Sequence, residues 1–94
     1  MNRYSIYIVD DDPAIRTGLI LSLEGTYQVR AFPSGEDAIS ETTRNPPDLM
    51  LLDVGLPGKD GMEVLREVRT LVPETLVLMI TGHDEVGTAV TAMR

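Results

Sequence analysis

Cysteine is absent from the 94 residues. That excludes a disulfide framework and any thiolate metal site, and it suits a reducing compartment. Basic residues are scarce: 8 Lys and Arg stand against 15 Asp and Glu, for a formal net charge of −7. They are scattered singly, whereas a surface that tracks phosphates needs them clustered, so this segment is expected not to bind nucleic acid. Long apolar runs are missing as well. The run within MNRYSIYIVDDD is too short for a signal peptide, and nothing later approaches the ~20 residues of a transmembrane helix. A soluble, cytoplasmic protein is expected. No repeat, low-complexity tract or linker breaks the chain, which reads as one small domain over residues 1–94.

What the chain does have is alternation. Ser5 to Val9, SIYIV, is a short apolar run rich in β-branched and aromatic residues, which predicts a buried strand. Asp12-Pro13 is an N-cap and first-turn pair, followed by Ile15, Gly18, Leu19 and Ser22 at helical spacing and a closing Gly25. A second strand is expected over Tyr27–Phe32, and a helix capped by Ser34 over Gly35–Thr43. Asn45-Pro46-Pro47 must end that helix, since consecutive prolines cannot continue it. Asp48 to Asp53 is the most apolar strand. A Gly- and Pro-rich loop, Val54 to Asp60, leads into a helix over Gly61–Val72 with Met62, Leu65, Val68 and Val72 inward. Leu76–Thr81 is a fourth strand, and Val86, Ala89, Val90 and Met93 are spaced for a last helix.

Continuously apolar strands separated by helices of about ten residues imply βαβ units and a parallel sheet. The expected fold class is α/β, an open doubly wound three-layer sandwich. Such sheets carry their sites at the carboxyl ends of the strands. Asp10, Asp11, Asp53 and Thr81 all fall at those ends. Two carboxylates ~4 Å apart repel by about 4 kcal/mol at an effective dielectric near 20, and a divalent cation relieves that repulsion. The acid rim therefore predicts a divalent-cation site.

Three segments, IYIVDDDPAIR, PDLMLLDVGLPGKDG and VLMITGH, occur in this order. Together they resemble the receiver domain of bacterial two-component response regulators. The resemblance implies a flavodoxin-like sheet of order 2-1-3-4 and a phosphoacceptor function. It makes Asp53 the phosphoryl acceptor and Thr81 the switch hydroxyl. Mg2+ would be held by Asp10, Asp11, Asp53 and the backbone carbonyl of Gly55, with Asp10 acting through water. A carboxylate can serve as such a nucleophile, and magnesium suits an all-oxygen set with only one or two direct carboxylates. A sensor histidine kinase or phosphotransfer protein is the implied donor, and transcription regulation the implied setting. The domain is expected to be no enzyme beyond its own phosphotransfer and dephosphorylation.

Some residues depart from the family or draw attention without a role. Receivers normally continue into a fifth strand and a fifth helix, with a phosphoryl-contacting lysine between, so a C-terminally truncated receiver is expected here. Gly82 stands where many relatives carry Ala, and Gly61 is expected to ease the turn into its helix. The single histidine, His83, and the single lysine, Lys59, are read as solvated loop residues, and Met62 and Met79 as core. Without further strands, Leu76–Thr81 would be a sheet edge, which predicts a homodimer around it. Two rivals to the phosphoacceptor reading are an inert receiver-fold dimerisation module and a haloacid-dehalogenase-type phosphatase. The phosphatase wants a second acid two residues after its nucleophile, where this chain has Gly55.

Overall fold

The apolar pentapeptide at Ser5–Val9 forms the first strand, β1, and it lies inside the sheet with a neighbour on each side. The structure, a computed structural model, describes residues 3–81 and 89–93. The elements that follow are α1 (Pro13–Leu23), β2 (Gln28–Phe32), α2 (Gly35–Arg44), β3 (Leu49–Asp53), α3 (Gly61–Leu71), β4 (Leu76–Thr81) and β5 (Ala89–Met93). The sheet order is β2-β1-β3-β4-β5, with β1, β2, β3 and β4 mutually parallel. This is the doubly wound order expected from the sequence.

Local chemistry sets the helix ends. The Asp12 carboxylate accepts from the Ala14 N–H at 2.8 Å with Pro13 in the first turn, and Ser34 Oγ accepts from the Asp37 N–H at 3.2 Å. Asp60 and Glu63 form a reciprocal capping box on α3. At the end of α1 the expected glycine stop is not used. Glu24 is the cap in a right-handed helical conformation, and the Thr26 and Tyr27 N–H groups both donate to the Leu23 carbonyl. Gly58 is the one residue with positive φ among those described, at 68°.

The strands alternate strictly. Tyr7, Val9, Met50, Leu52, Val77 and Met79 turn to one face and form the core with Phe32, Ala38 of α2 and Val64, Leu65 and Val68 of α3. The opposite face carries Ile6 and Ile8, which are buried, and Leu49, Leu51, Leu76 and Leu78, which are only half-buried. Helix α1 packs on β1 and β2, away from β3 and β4. It contributes no fully buried residue; Ile15, Leu19, Ile20 and Leu23 are half-buried, while Gly18 and Ser22, spaced with Ile15 and Leu19 in the sequence, are exposed. Beside α1 an apolar groove of about 480 Å³ runs between Tyr4, Leu23, Tyr27 and Leu51.

Three further expectations are corrected. Met62 is 43% exposed, because it sits in the first turn of α3, at the rim and ahead of the buried Val64, Leu65 and Val68. The last helix expected from Val86, Ala89, Val90 and Met93 does not cover residues 89–93, which form β5, antiparallel to β4, with Thr81 opposite Ala89 and Val77 opposite Met93; Val86 lies outside the described residues. An unpaired β4 would leave a row of backbone donors and acceptors to water, and an adjacent β-compatible segment satisfies them. Strand β4 is therefore paired on both sides, and the open β4 edge from which a homodimer was expected does not exist. His83 and Gly82 lie outside the described residues.

Candidate functional site

Register builds the site. Val9 of β1 pairs with Leu52 of β3, so the residues that follow, Asp10 just past β1 and Asp53 at the last position of β3, stand side by side at the carboxyl edge of the sheet. The neighbouring residue Asp11 adds a third carboxylate. One oxygen from each of Asp10, Asp11 and Asp53 lies within 4.8 Å of the others. Asp10 is 6% exposed and Asp53 4%, while Asp11 is open to solvent.

Each buried acid is held by backbone. Asp10 Oδ1 accepts from the Asp12 N–H at 2.9 Å, and the Asp10 N–H donates to the Phe32 carbonyl at 3.1 Å. Asp53 Oδ1 accepts from the Gly55 N–H at 3.0 Å, and the Val54 N–H donates to the Ile80 carbonyl of β4 at 3.0 Å. Gly55 is thereby fixed beside the Asp53 carboxylate. Thr81 ends β4 one residue beyond the Asp53–Ile80 register pair; its side chain lies outside the described part of the structure. Asp12 caps α1, as the sequence implied, and stands apart from the cluster of three.

Burial raises the Asp10 pKa above the usual 3.8, and the charges of Asp53, Asp11 and Asp12 raise it further against the pull of the Asp12 N–H. Among the described residues no lysine or arginine forms an ion pair with any of the three acids. Buried negative charge without a basic partner is costly, and that is the environment a hard divalent cation fits.

Sequence reasoning missed Arg16. Its Nη1 donates to the Asp10 carbonyl at 2.8 Å, tying the first turn of α1 to the end of β1. The available signal was its isolation: it is the one charged residue in PAIRTGLILSL, placed one turn after the acids. Lys59, expected in solvent, instead pairs with Glu67 of α3 and is only partly exposed. The Glu67 contact raises its pKa, with Glu63 and Glu36 adding to the effect. It straps the β3–α3 loop to the helix.

The response regulator receiver domain family matches residues 6–94, nearly the full chain. The chain belongs to this family. As a receiver domain it is 34% identical over 93 residues to the DNA-binding transcriptional regulator NtrC of Klebsiella pneumoniae, covering 98% of this chain and 20% of that protein. It is 39% identical over 87 residues to the transcriptional regulatory protein AfsQ1 of Streptomyces coelicolor, covering 92% and 39%. The receiver thus spans well under half the length of these curated relatives. Among solved structures, the BeF3-activated receiver domain of DrrB, a Thermotoga maritima protein, superposes with a TM-score of 0.80 at 30% identity, covering 89% of this chain and 70% of that one. NtrX from Brucella abortus gives 0.81 at 30% identity, covering 90% and 20%. The receiver is accordingly a signalling module of two-component systems, and its relatives include transcriptional regulators. Among the described residues no helix is long and apolar enough to cross a membrane.

Proposed function

We propose that this receiver accepts a phosphoryl group on Asp53 in a Mg2+-dependent reaction, with a histidine kinase or phosphotransfer protein as donor in the cytoplasm. The observation that carries the reading is the set of three converging carboxylates, two of them nearly removed from water and, among the described residues, without a basic partner in an ion pair. Asp10 and Asp11, the Asp53 carboxylate and the Gly55 carbonyl would hold the ion, which when bound supplies positive charge against the phosphoryl oxygens. Asp53 is the nucleophile. One oxygen of its carboxylate attacks phosphorus as the bond to the donor nitrogen breaks, giving an acyl phosphate. The Gly55 N–H on Asp53 Oδ1 leaves the other oxygen for attack and fixes its direction. The Thr81 hydroxyl would then hydrogen-bond the phosphoryl group and draw the end of β4 toward it. Such a domain does no chemistry on other molecules beyond taking and losing this group, and it would control an output unit of the kind its relatives carry.

Incubation with Mg2+ and acetyl phosphate tests this. One alkali- and hydroxylamine-labile phosphate per chain is expected. It should vanish in Asp53→Asn and on adding a chelator. Full labelling of that variant, or label on His83, would overturn the assignment.

A further inference from the structure

Gly61, the first residue of α3, is glycine for a reason other than the backbone freedom expected from the sequence. Its φ lies outside the left-handed region, so any residue could adopt its conformation. A Cβ at this position, however, would stand 2.5 Å from the Asp53 carbonyl oxygen, 2.8 Å from the Val54 Cα and 3.1 Å from the Val54 carbonyl oxygen. All three are main-chain atoms of the segment that carries the Asp53 carboxylate. A main chain cannot rotate aside as a side chain does.

The same segment is gripped from two directions. The Gly61 N–H donates to the Val54 carbonyl at 3.3 Å, while the Val54 N–H donates to Ile80 of β4 at 3.0 Å. The capping box of Asp60 and Glu63 fixes the end of α3 against the contact. We infer that Gly61 is a positioning residue for Asp53: the bare Cα lets α3 seat directly on the Asp53–Val54 peptide and so sets the distance from the acceptor carboxylate to Asp10 and Asp11. The inference rests on the reading of Asp53 as the phosphoryl acceptor. A methyl group at 61 needs at least 3.4 Å for ordinary contact, which displaces the peptide by about 1 Å, and a misplacement of that size costs a reacting group ~100-fold in rate.

The test compares the wild-type chain with Gly61→Ala and Gly35→Ala. At Gly35 a Cβ would lie 2.3 Å from Val64 Cγ2 and 3.2 Å from the Lys59 carbonyl oxygen, so this control crowds α3 from the α2 side without touching the Asp53–Val54 peptide. All three are labelled with acetyl phosphate at saturating Mg2+, below their melting temperatures. Gly61→Ala is expected to lose about 100-fold in maximal rate, and Gly35→Ala to keep a rate close to wild type. Full rate in Gly61→Ala, or equal loss in both variants, overturns the positioning role. A wild-type chain that takes no label on Asp53 overturns the acceptor reading, and the positioning role falls with it. Should Gly61→Ala fail to fold, the wild-type chain is titrated with Mg2+ alone and followed by amide NMR. The Gly61 amide should move with that of Gly55 along one binding curve. A Gly61 signal that stays still while Gly55 shifts rejects the coupling.

Discussion

At the scale of single residues, Asp10 carries a conflict that the fold does not resolve by itself. Its carboxyl is buried beside two other acids, and its pKa is raised by that burial first and by its neighbours' charges second. Between the ordinary value and the raised one, the native state binds the proton more tightly than the unfolded chain. Stability from this group is therefore highest in acid and falls as pH rises through that window. In the metal-free protein, Asp10→Asn keeps an oxygen for the Asp12 N–H and removes the charge. The variant should melt higher than wild type at pH 7, with the difference vanishing below the usual Asp range. Thermal melts across pH 3 to 7 in a chelating buffer would measure it; an Asp10→Asn protein less stable at pH 7 would contradict the argument. The three acids were legible in the sequence because residues just after apolar strands have nowhere to go but the rim. Lys59 was not, since a pairing eight residues away, across a loop and into α3, leaves no periodic trace.

Elements were legible where local chemistry fixes them. Prolines, caps and strand-end acids gave β1 and β4 to the residue and the helix boundaries to within one or two. Residues 89–93 were not: a short apolar stretch fits a helix or a strand by spacing, and pairing partners decide. The two faces of β3 separate what pattern alone could not. Leu52 has no exposure and lies under α2 and α3, while Leu51 faces the groove beside α1. Leu52→Ala should cost about 2–5 kcal/mol, the loss for a closed core site. Leu51→Ala, which opens no sealed cavity, should cost about 1–2 kcal/mol. Urea unfolding of both variants with a common slope checks the ranking, and equal costs would mean the second face is covered as well as the first.

For the whole molecule, the balance of charge and the convergence of acids predict a protein more stable with divalent cation than without. Binding confined to the native state adds RT ln(1 + [L]/Kd), so millimolar Mg2+ should raise the melting temperature and Asp11→Asn should cancel most of the rise. A melting curve unmoved by Mg2+ in the wild-type chain would remove the metal site. The rim was legible at this scale because a parallel α/β sheet sends every strand's carboxyl end to one side. How α1 is tied to that rim by Arg16 was not, for a side chain bonded to a carbonyl depends on where the helix lies in space.

The pairing of Val9 with Leu52 brings together acids that are 43 residues apart in the chain. A slip of one residue between β1 and β3 would turn every side chain of the moved strand to the opposite face, and Asp53 would leave its place beside Asp10. No fragment holding only one of these strands can reproduce the cluster, and no loosely collapsed form with the wrong alignment can either. Cation binding at this cluster would thus be a register gauge: it would report, at a single point on the rim, that two strands closed by a long chain loop have come together in step.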